Sequence, residues 1–315
     1  MVIFAPTACG KTALTERLFG HGSFSILNTQ AEIISADSVA VYKELSIGSA
    51  KPDSNLRQRL PHHLIDIISY TQQFSVADFV ERADKACTEI WNRKNVPVIV
   101  GGTGFYIRNF LLGLPVAPEA NATVRSTLQA RLHTEGIAAL YAELCTVDAT
   151  SAAKIHPHDA YRICRALEVW YTAGKALSSF ALPCTLRNKY AFCTIILTRQ
   201  REELYTRICT RVEHMFATGL EAEVASLLQH GATAAAPGMH AIGYREFFLP
   251  ELQHLSATEK TTYLKAAIIH NTKKYAKKQI TFMRDIPHAQ HFHAEAQSDI
   301  AAYMHSWAQA HVVHA

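Results

Sequence analysis

Phe4-Ala5-Pro6-Thr7-Ala8-Cys9-Gly10-Lys11-Thr12 decides how this chain is read. The apolar Val2-Ile3-Phe4 before it reads as a short buried strand, and the residues from Lys11 onward read as a helix. Strand, small-residue loop, then a helix opening on Gly-Lys-Thr is the context of a phosphate-binding loop. In such a loop, successive backbone N–H groups and a helix N-terminus surround phosphate oxygens. Lys11 would neutralise charge, and the Thr12 hydroxyl is placed to ligate Mg²⁺. Ala5 stands where the pattern G-x-x-x-x-G-K-[ST] has its first glycine. The alternative is an ordinary strand–turn–helix corner. The loop implies a polyphosphate and does not say which one.

Working outward, 315 residues with 49% hydrophobic and 18% charged content describe a folded globular chain, not a disordered one. No apolar run approaches the ~20 residues needed to span a bilayer, and the chain enters its first strand without a basic, signal-like leader. The seven cysteines are odd in number and scattered, with no C-x-x-C, which argues against a disulfide framework or zinc ribbon. A reducing cytoplasm is the expected location. The net charge is only +4, yet residues 260–284 hold six lysines and Arg284 with no Asp or Glu. That segment carries +7 and leaves −3 for the remainder. Such a stripe suits an anionic partner, nucleic acid first, although a solvated helix face also fits.

Along the chain, helix is expected from Lys11 to about Phe19, ending at Gly20-His21-Gly22. Ile33-Ile34-Ser35-Ala36 reads as strand with Asp37-Ser38 at its carboxyl end, where ligands bind in open α/β sheets. A turn or N-cap aspartate is the other reading of Asp37. The stretch from Val41 to Pro52 reads as a loop packed over the site. Pro61 to Ile68 gives another apolar run, whose His62-His63 pair lacks a third metal ligand at convincing spacing. Ser75 caps a helix, and Pro97-Val98-Ile99-Val100 is a buried parallel strand ending in Gly101-Gly102-Thr103-Gly104. From Pro115 strand signals stop, and Val124 to Thr172 reads as helices, with Asp148 and Asp159 as N-caps and Gly174 as a stop. Arg162 and Arg165 share one face of the helix after Asp159, while Ile163, Leu167 and Trp170 pack on another. Strand returns at Phe192 to Leu197, a helix with Arg207 and Arg211 four apart follows, and Leu220 to Leu228 and Ala257 to about Thr281 are further helices. The histidine-rich tail after Arg284 reads as irregular and peripheral.

Together these blocks resemble the tRNA dimethylallyltransferase family, bacterial type. The resemblance rests on residues 5–12, Ile34 to Ser38, Ile47 to Pro52, Gly101 to Tyr106, Ile155 to Asp159, Arg165 to Val169, Ala241 to Glu246 and Ala276 to Thr281, in order. It covers about residues 3 to 284. It implies a P-loop nucleoside-triphosphate-hydrolase-like α/β fold, a parallel sheet flanked by helices, over 1–117 and 182–315. An all-helical insertion over 118–181 would contact tRNA. The implied reaction moves a dimethylallyl group from dimethylallyl diphosphate to the exocyclic N6 amine of the adenosine 3′ of the anticodon.

The resemblance also implies site residues. Asp37 would be the general base, and Lys11, Thr12 with Mg²⁺, Thr103 and Arg211 would stabilise the departing pyrophosphate. Ala5, Pro6, Thr7, Ala8, Cys9, Gly10, Lys11 and Thr12 would cradle it. Contacts to the tRNA anticodon stem–loop would fall to Asp37, Ser38, Val39, Ala40, Thr103 and Arg125. Further contacts would come from Tyr161, Arg162, Ile163, Cys164 and Arg165, from His240, Gly243, Tyr244 and Arg245, and from Lys273, Lys274, Lys277, Lys278 and Gln279. A monomer with no membrane association is expected. Two rivals remain open on the residues alone: an ATP-dependent P-loop kinase, and a non-catalytic RNA-binding module that keeps a relic phosphate loop.

Overall fold

The computed structural model describes residues 1–20, 30–115, 118, 121–180 and 183–312. β1 (Val2–Phe4) leads into α1 (Lys11–Phe19), β2 (Ala31–Ala36) into α2 (Ser54–Arg59), and β3 (His62–His63) into α3 (Val76–Asn92). β4 (Val96–Gly101) leads into α4 (Gly104–Leu112), and then come α5 (Ala122–Thr134), α6 (Ile137–Val147), α7 (Ala149–Ala152) and α8 (Ala160–Ala173). β5 (Thr194–Thr198), α9 (Arg201–Ala217), α10 (Leu220–Gln229), α11 (Ala257–Met283), β6 (Gln290–His293) and α12 (Gln297–Val312) follow.

The strands form one sheet in the order β3-β2-β4-β1-β5-β6, every pairing parallel. Parallel neighbours need crossovers, and helices supply them, which is why the strands read as continuous apolar runs rather than alternating ones. β1 sits centrally, with Ile3 opposite Val100 of β4 and Ile195 of β5. On one face Ile3, Ile33, Val98, Ile195 and Leu197 pack with Leu14 of α1, Leu204 and Ile208 of α9, and Ile300 and Met304 of α12. α3 packs against β2 and β4, and its Phe79 stacks on Tyr106 of α4 at 4.5 Å between ring centroids.

Two compact units emerge, Met1–Leu111 with Arg187–Ala315, and Leu112–Leu186. The second is all-helical among the described residues. Leu128, Leu140, Leu144, Ile163 and Leu167 form its core. Asp148 caps α7 by accepting from the Ser151 N–H at 2.9 Å, Asp159 caps α8 through the Arg162 N–H at 3.1 Å, and Gly174 ends α8 at φ +64°.

α1 ends at Phe19 with Gly20 as its C-cap; the remaining breaker residues His21 and Gly22, and residue 181, lie outside the described residues. The tail differs from its sequence reading. It is neither irregular nor peripheral, because β6 adds a parallel edge strand beside β5 and α12 buries Ile300, Met304 and Ala308. Histidines masked that strand: Gln290–His293 holds a single apolar residue, Phe292. The run from Pro61 to Ile68 yields only the two-residue β3. Among the described residues no helix is long and apolar enough to cross a membrane, and no group of three or more His, Cys, Asp or Glu could hold a metal.

Glu32 ties the sheet together at the end away from the β2 loop. Its buried carboxylate accepts from Arg93 Nε at 3.0 Å, Arg93 Nη2 at 2.7 Å and Asn95 Nδ2 at 2.7 Å, and meets His63 Nε2 at 2.6 Å. It thereby joins β2 to β3 and to the end of α3. Burial alone would push this carboxyl up, but the hydrogen bonds from Arg93, Asn95 and His63 outweigh it and hold it at about 2. A depressed carboxylate contributes stability above its ordinary pKa and loses it as pH falls through the folded value. Native stability should therefore decline as pH drops from about 4.5 toward 2. Glu32→Gln should flatten that decline and cost ~1–2 kcal/mol at pH 7, discounted for the half-exposed Arg93. Urea unfolding across pH would measure both effects.

Candidate active site

The loop between β1 and α1 is held by backbone geometry. Gly10, the N-cap of α1, sits at φ +106°, where a glycine is needed, and Ala8 is also left-handed at φ +60°. Ala5 is not among the positive-φ residues, so alanine in place of the first glycine carries no backbone strain. It is fully buried, and its N–H donates to the Gly101 carbonyl at 3.2 Å. The Cys9 thiol is buried against the Leu197 carbonyl at 3.7 Å, and burial pushes its pKa up, so it packs rather than reacts.

Lys11 is the electrostatic centre of this loop. Its Nζ donates to the carbonyls of Ala5 and Pro6, each at 3.0 Å. The residue is half-buried, but its ammonium lies deep. Burial lowers its pKa to about 8, against the opposing pull of Asp37 and Cys9. Two further arginines brace the loop, Arg199 just before α9 and Arg207 within it: Arg199 Nε donates to the Cys9 carbonyl at 2.7 Å, and Arg207 Nε to the Ala8 carbonyl at 2.8 Å. Arg207 surfaced in the sequence only as the neighbour of Arg211. Arg199 carried no signal there.

Asp37 stands directly after β2. Its Oδ1 accepts from the N–H groups of Val39 at 2.8 Å and Ala40 at 3.2 Å, while Oδ2 accepts no hydrogen bond from the described residues. One oxygen therefore fixes the turn and leaves the other for a ligand. Thr103, directly after β4 and Gly102, accepts from the Ser38 N–H at 3.0 Å and lies 3.3 Å from the Ser38 hydroxyl. Tyr275 of α11 lines the same cavity as Asp37 and Gln279. Burial first, then the Asp37 charge, pushes its phenol up to about 12. Tyr275 was missed in the sequence, although it lies four residues before Gln279 on one helical stripe.

Arg211 of α9 donates to the Ser49 carbonyl at 3.3 Å; burial lowers its pKa and Asp37 opposes that shift. The loop it touches is pinned from behind. The Glu223 carboxylate of α10 accepts from the N–H groups of Ser46 at 3.1 Å and Ile47 at 2.9 Å, and from the Tyr244 hydroxyl at 2.6 Å. Tyr244 in turn accepts from the Gly48 N–H at 3.0 Å. Nothing in the sequence connects Glu223 to a loop about 175 residues earlier.

These elements enclose a cavity of about 350 Å³. Thr7, Lys11, Thr12, Asp37 and Arg211 supply polar lining, and Val212, Met215, Ile242 and Ile268 supply an apolar wall that belongs to the adjoining core. Ser38, Val39, Ala40, His240, Arg245 and Gln279 also line it. A small site with a cation, a carboxylate and an apolar wall suits a ligand with an anionic head and a hydrocarbon tail.

The remaining residues divide. Lys274, Lys277 and Lys278 are exposed on α11, and Lys273 is half-buried over the Tyr205 ring at 5.1 Å. Tyr244 is fully buried and Gly243 is buried beside it, so they shape the loop instead of offering a surface. Within the helical unit Tyr161 is 78% exposed and Arg162 is exposed but paired with Asp159. Arg125 lies 3.3 Å from Glu168, and Arg165 donates to the Pro118 carbonyl at 2.7 Å. Ile163 and Cys164 are buried in that unit's core. Helical periodicity turns them inward while Tyr161 and Arg162 face out, so their side chains are unavailable to an RNA.

Sheet, loop and cavity make this a P-loop-like α/β protein. A family model described as IPP transferase matches residues 40–286. The chain is 41% identical to tRNA dimethylallyltransferase 1 of Trichlorobacter lovleyi over 288 residues, 91% of each chain. It is 42% identical to tRNA dimethylallyltransferase of Sulfurihydrogenibium sp., over 90% of this chain and 88% of the relative. The solved full-length tRNA isopentenylpyrophosphate transferase of Bacillus halodurans superposes with a TM-score of 0.65 at 32% identity, over 98% of this chain and 97% of that one. The chain belongs to the IPP transferase family and is a prenyltransferase.

A lysine with a pKa near 8 is charged below that value and neutral above it. Affinity for a diphosphate should therefore be full near pH 7 and fall as pH rises through about 8. Calorimetric titration with inorganic pyrophosphate across pH 6.5–9.5 would show that limb, and Lys11→Arg should abolish it because guanidinium stays charged throughout the range.

Proposed function

We propose that this enzyme transfers a dimethylallyl group from dimethylallyl diphosphate to the N6 amine of the tRNA adenosine 3′-adjacent to the anticodon, forming N6-isopentenyladenosine. The observation that carries this reading is that Lys11 and Asp37 line one cavity with an apolar wall, beside a helix with exposed lysines. The names of the relatives support the substrate pair.

In this reading the diphosphate lies at the N-terminus of α1 against Lys11, with Arg211 as a second cation. Both charges answer the negative charge that builds as the allylic carbon–oxygen bond breaks. The allyl tail lies on Val212, Met215, Ile242 and Ile268, away from water. The adenine amine attacks the allylic carbon, pyrophosphate leaves, and the amine proton passes to the free Oδ2 of Asp37. Thr103 holds the Asp37–Ser38 turn through its bonds to Ser38. An adenine stacked within the anticodon loop could not reach this cavity, so the nucleotide is flipped out.

Mg²⁺ suits the donors present. The Thr12 hydroxyl, exposed in the first turn of α1, lines the cavity, and Mg²⁺ commonly takes one or two protein oxygens and completes its shell with substrate phosphates and water. When bound, the ion would neutralise charge on the diphosphate. Lys274, Lys277 and Lys278 would contact RNA phosphates, which position the substrate without reading its sequence.

Incubation with Mg²⁺, labelled dimethylallyl diphosphate and unmodified tRNA should move label into RNA. ATP consumption without transfer would favour a kinase instead. Asp37→Ala should lower the single-turnover rate by about 10²–10⁴-fold while tRNA affinity stays within a fewfold; lost binding with normal turnover would sink the assignment of the base. tRNA affinity should also fall steeply between low and moderate salt, and changing Lys274, Lys277 and Lys278 together should flatten that dependence.

A further inference from the structure

Gln279 stands in the sequence among residues expected to touch RNA, yet its side chain is already committed. It lies on α11 and is only 4% exposed. Its Oε1 accepts from the Thr7 N–H of the phosphate loop at 2.9 Å, and its Nε2 donates to the Gly102 carbonyl after β4 at 2.6 Å. Acceptor meets donor at one end and donor meets acceptor at the other, so the amide has a single orientation. Gly102 makes room for it: a Cβ there would sit 2.5 Å from Nε2.

The rest of that face of α11 does related work. Phe282, nearly one turn later, occupies the space that a side chain at position 104, at the start of α4, would need. One face of a single helix thus holds the loops that follow β1 and β4. Lys274, Lys277 and Lys278 of the same helix remain exposed.

We propose that Gln279 is a positioning residue that sets the phosphate loop from the lysine-bearing helix, so that acceptor RNA and prenyl diphosphate bind cooperatively through it. The inference rests on the prenyl-transfer reading above. RNA seated on the lysines holds α11 in place, and α11 holds Thr7 through Gln279, at the mouth of the loop that receives the diphosphate. By linkage, the diphosphate tightens RNA binding by the same factor.

The test measures the affinity of an unreactive thio-analogue of dimethylallyl diphosphate, with and without an anticodon stem–loop RNA. The native chain should bind the analogue about fivefold or more tightly when RNA is present. Gln279→Met, similar in volume but without the amide, should bring that ratio close to one. It should raise the donor KM about tenfold with kcat little changed, and leave RNA affinity without donor within about twofold. Gly102→Ala, which pushes the amide aside from the opposite wall, should do the same, and the double variant should be no worse than either single one. Gln279→Glu, which keeps an acceptor for Thr7, should retain part of the ratio if Gln279→Met fails to fold. A ratio unchanged in these variants, or a native ratio of one, overturns the coupling. Weakened RNA binding without donor and an unchanged ratio would make Gln279 an RNA contact instead. Failure of the native chain to transfer label would sink the reaction itself, whereas normal transfer with an unchanged ratio sinks only this inference.

Discussion

A desolvated ammonium sets the terms for the rest of the site. Lys11 is held by two backbone carbonyls, and burial lowers its pKa to about 8 even with Asp37 nearby. A cation in that condition is short of counter-charge and suited to an anionic guest. Arg211 is in the same position, lowered by burial and opposed by Asp37 alone. Two undercompensated cations and one carboxylate line a single cavity, and an entering anion restores the balance.

Holding those charges apart requires rigid loops, and the parallel sheet supplies them. Each strand of the β2-β4-β1 trio ends at the same edge, so the residues after Phe4, Ala36 and Gly101 meet there although they lie far apart in sequence. Bracing comes from behind that edge. Arg199 and Arg207 hold carbonyls of the first loop, Thr103 holds the Ser38 turn, and Glu223 with Tyr244 holds the loop that meets Arg211. The residues that touch a ligand are few beside those that fix them.

The divide between what could and could not be read follows from this. β1, α1, the caps at Ser75, Asp148 and Asp159, and the positions of Lys11, Asp37 and Thr103 were legible, because each rests on a local pattern of a few residues. The bracing was not, because hydrogen bonds such as Glu223 to Ile47 have no local signature. β6 went unread for a different reason. An edge strand needs less apolar surface than a central one, and Phe292 is the one side chain of Gln290–His293 that packs against the core. Ile163 and Cys164 mark the opposite failure: a motif transferred as a block includes residues whose helical phase points them into the core.

Alanine at the head of the phosphate loop meets no conformational penalty. Glycine at the first position would matter if the backbone there were left-handed, but the positive φ angles fall on Ala8 and Gly10 instead. Ala5 is buried in the core beneath the loop, where a methyl group adds packing and strains nothing. Cys9 likewise turns its thiol toward the Leu197 carbonyl and leaves its own carbonyl for Arg199. The strain of this loop is carried by Ala8, a non-glycine residue in the left-handed region, a conformation that costs on the order of 1–2 kcal/mol. Arg207 donates to the Ala8 carbonyl and so holds the loop at that residue. The shape of the loop therefore depends on Arg199, just before α9, and Arg207 within it, which lie about 190–200 residues away in sequence.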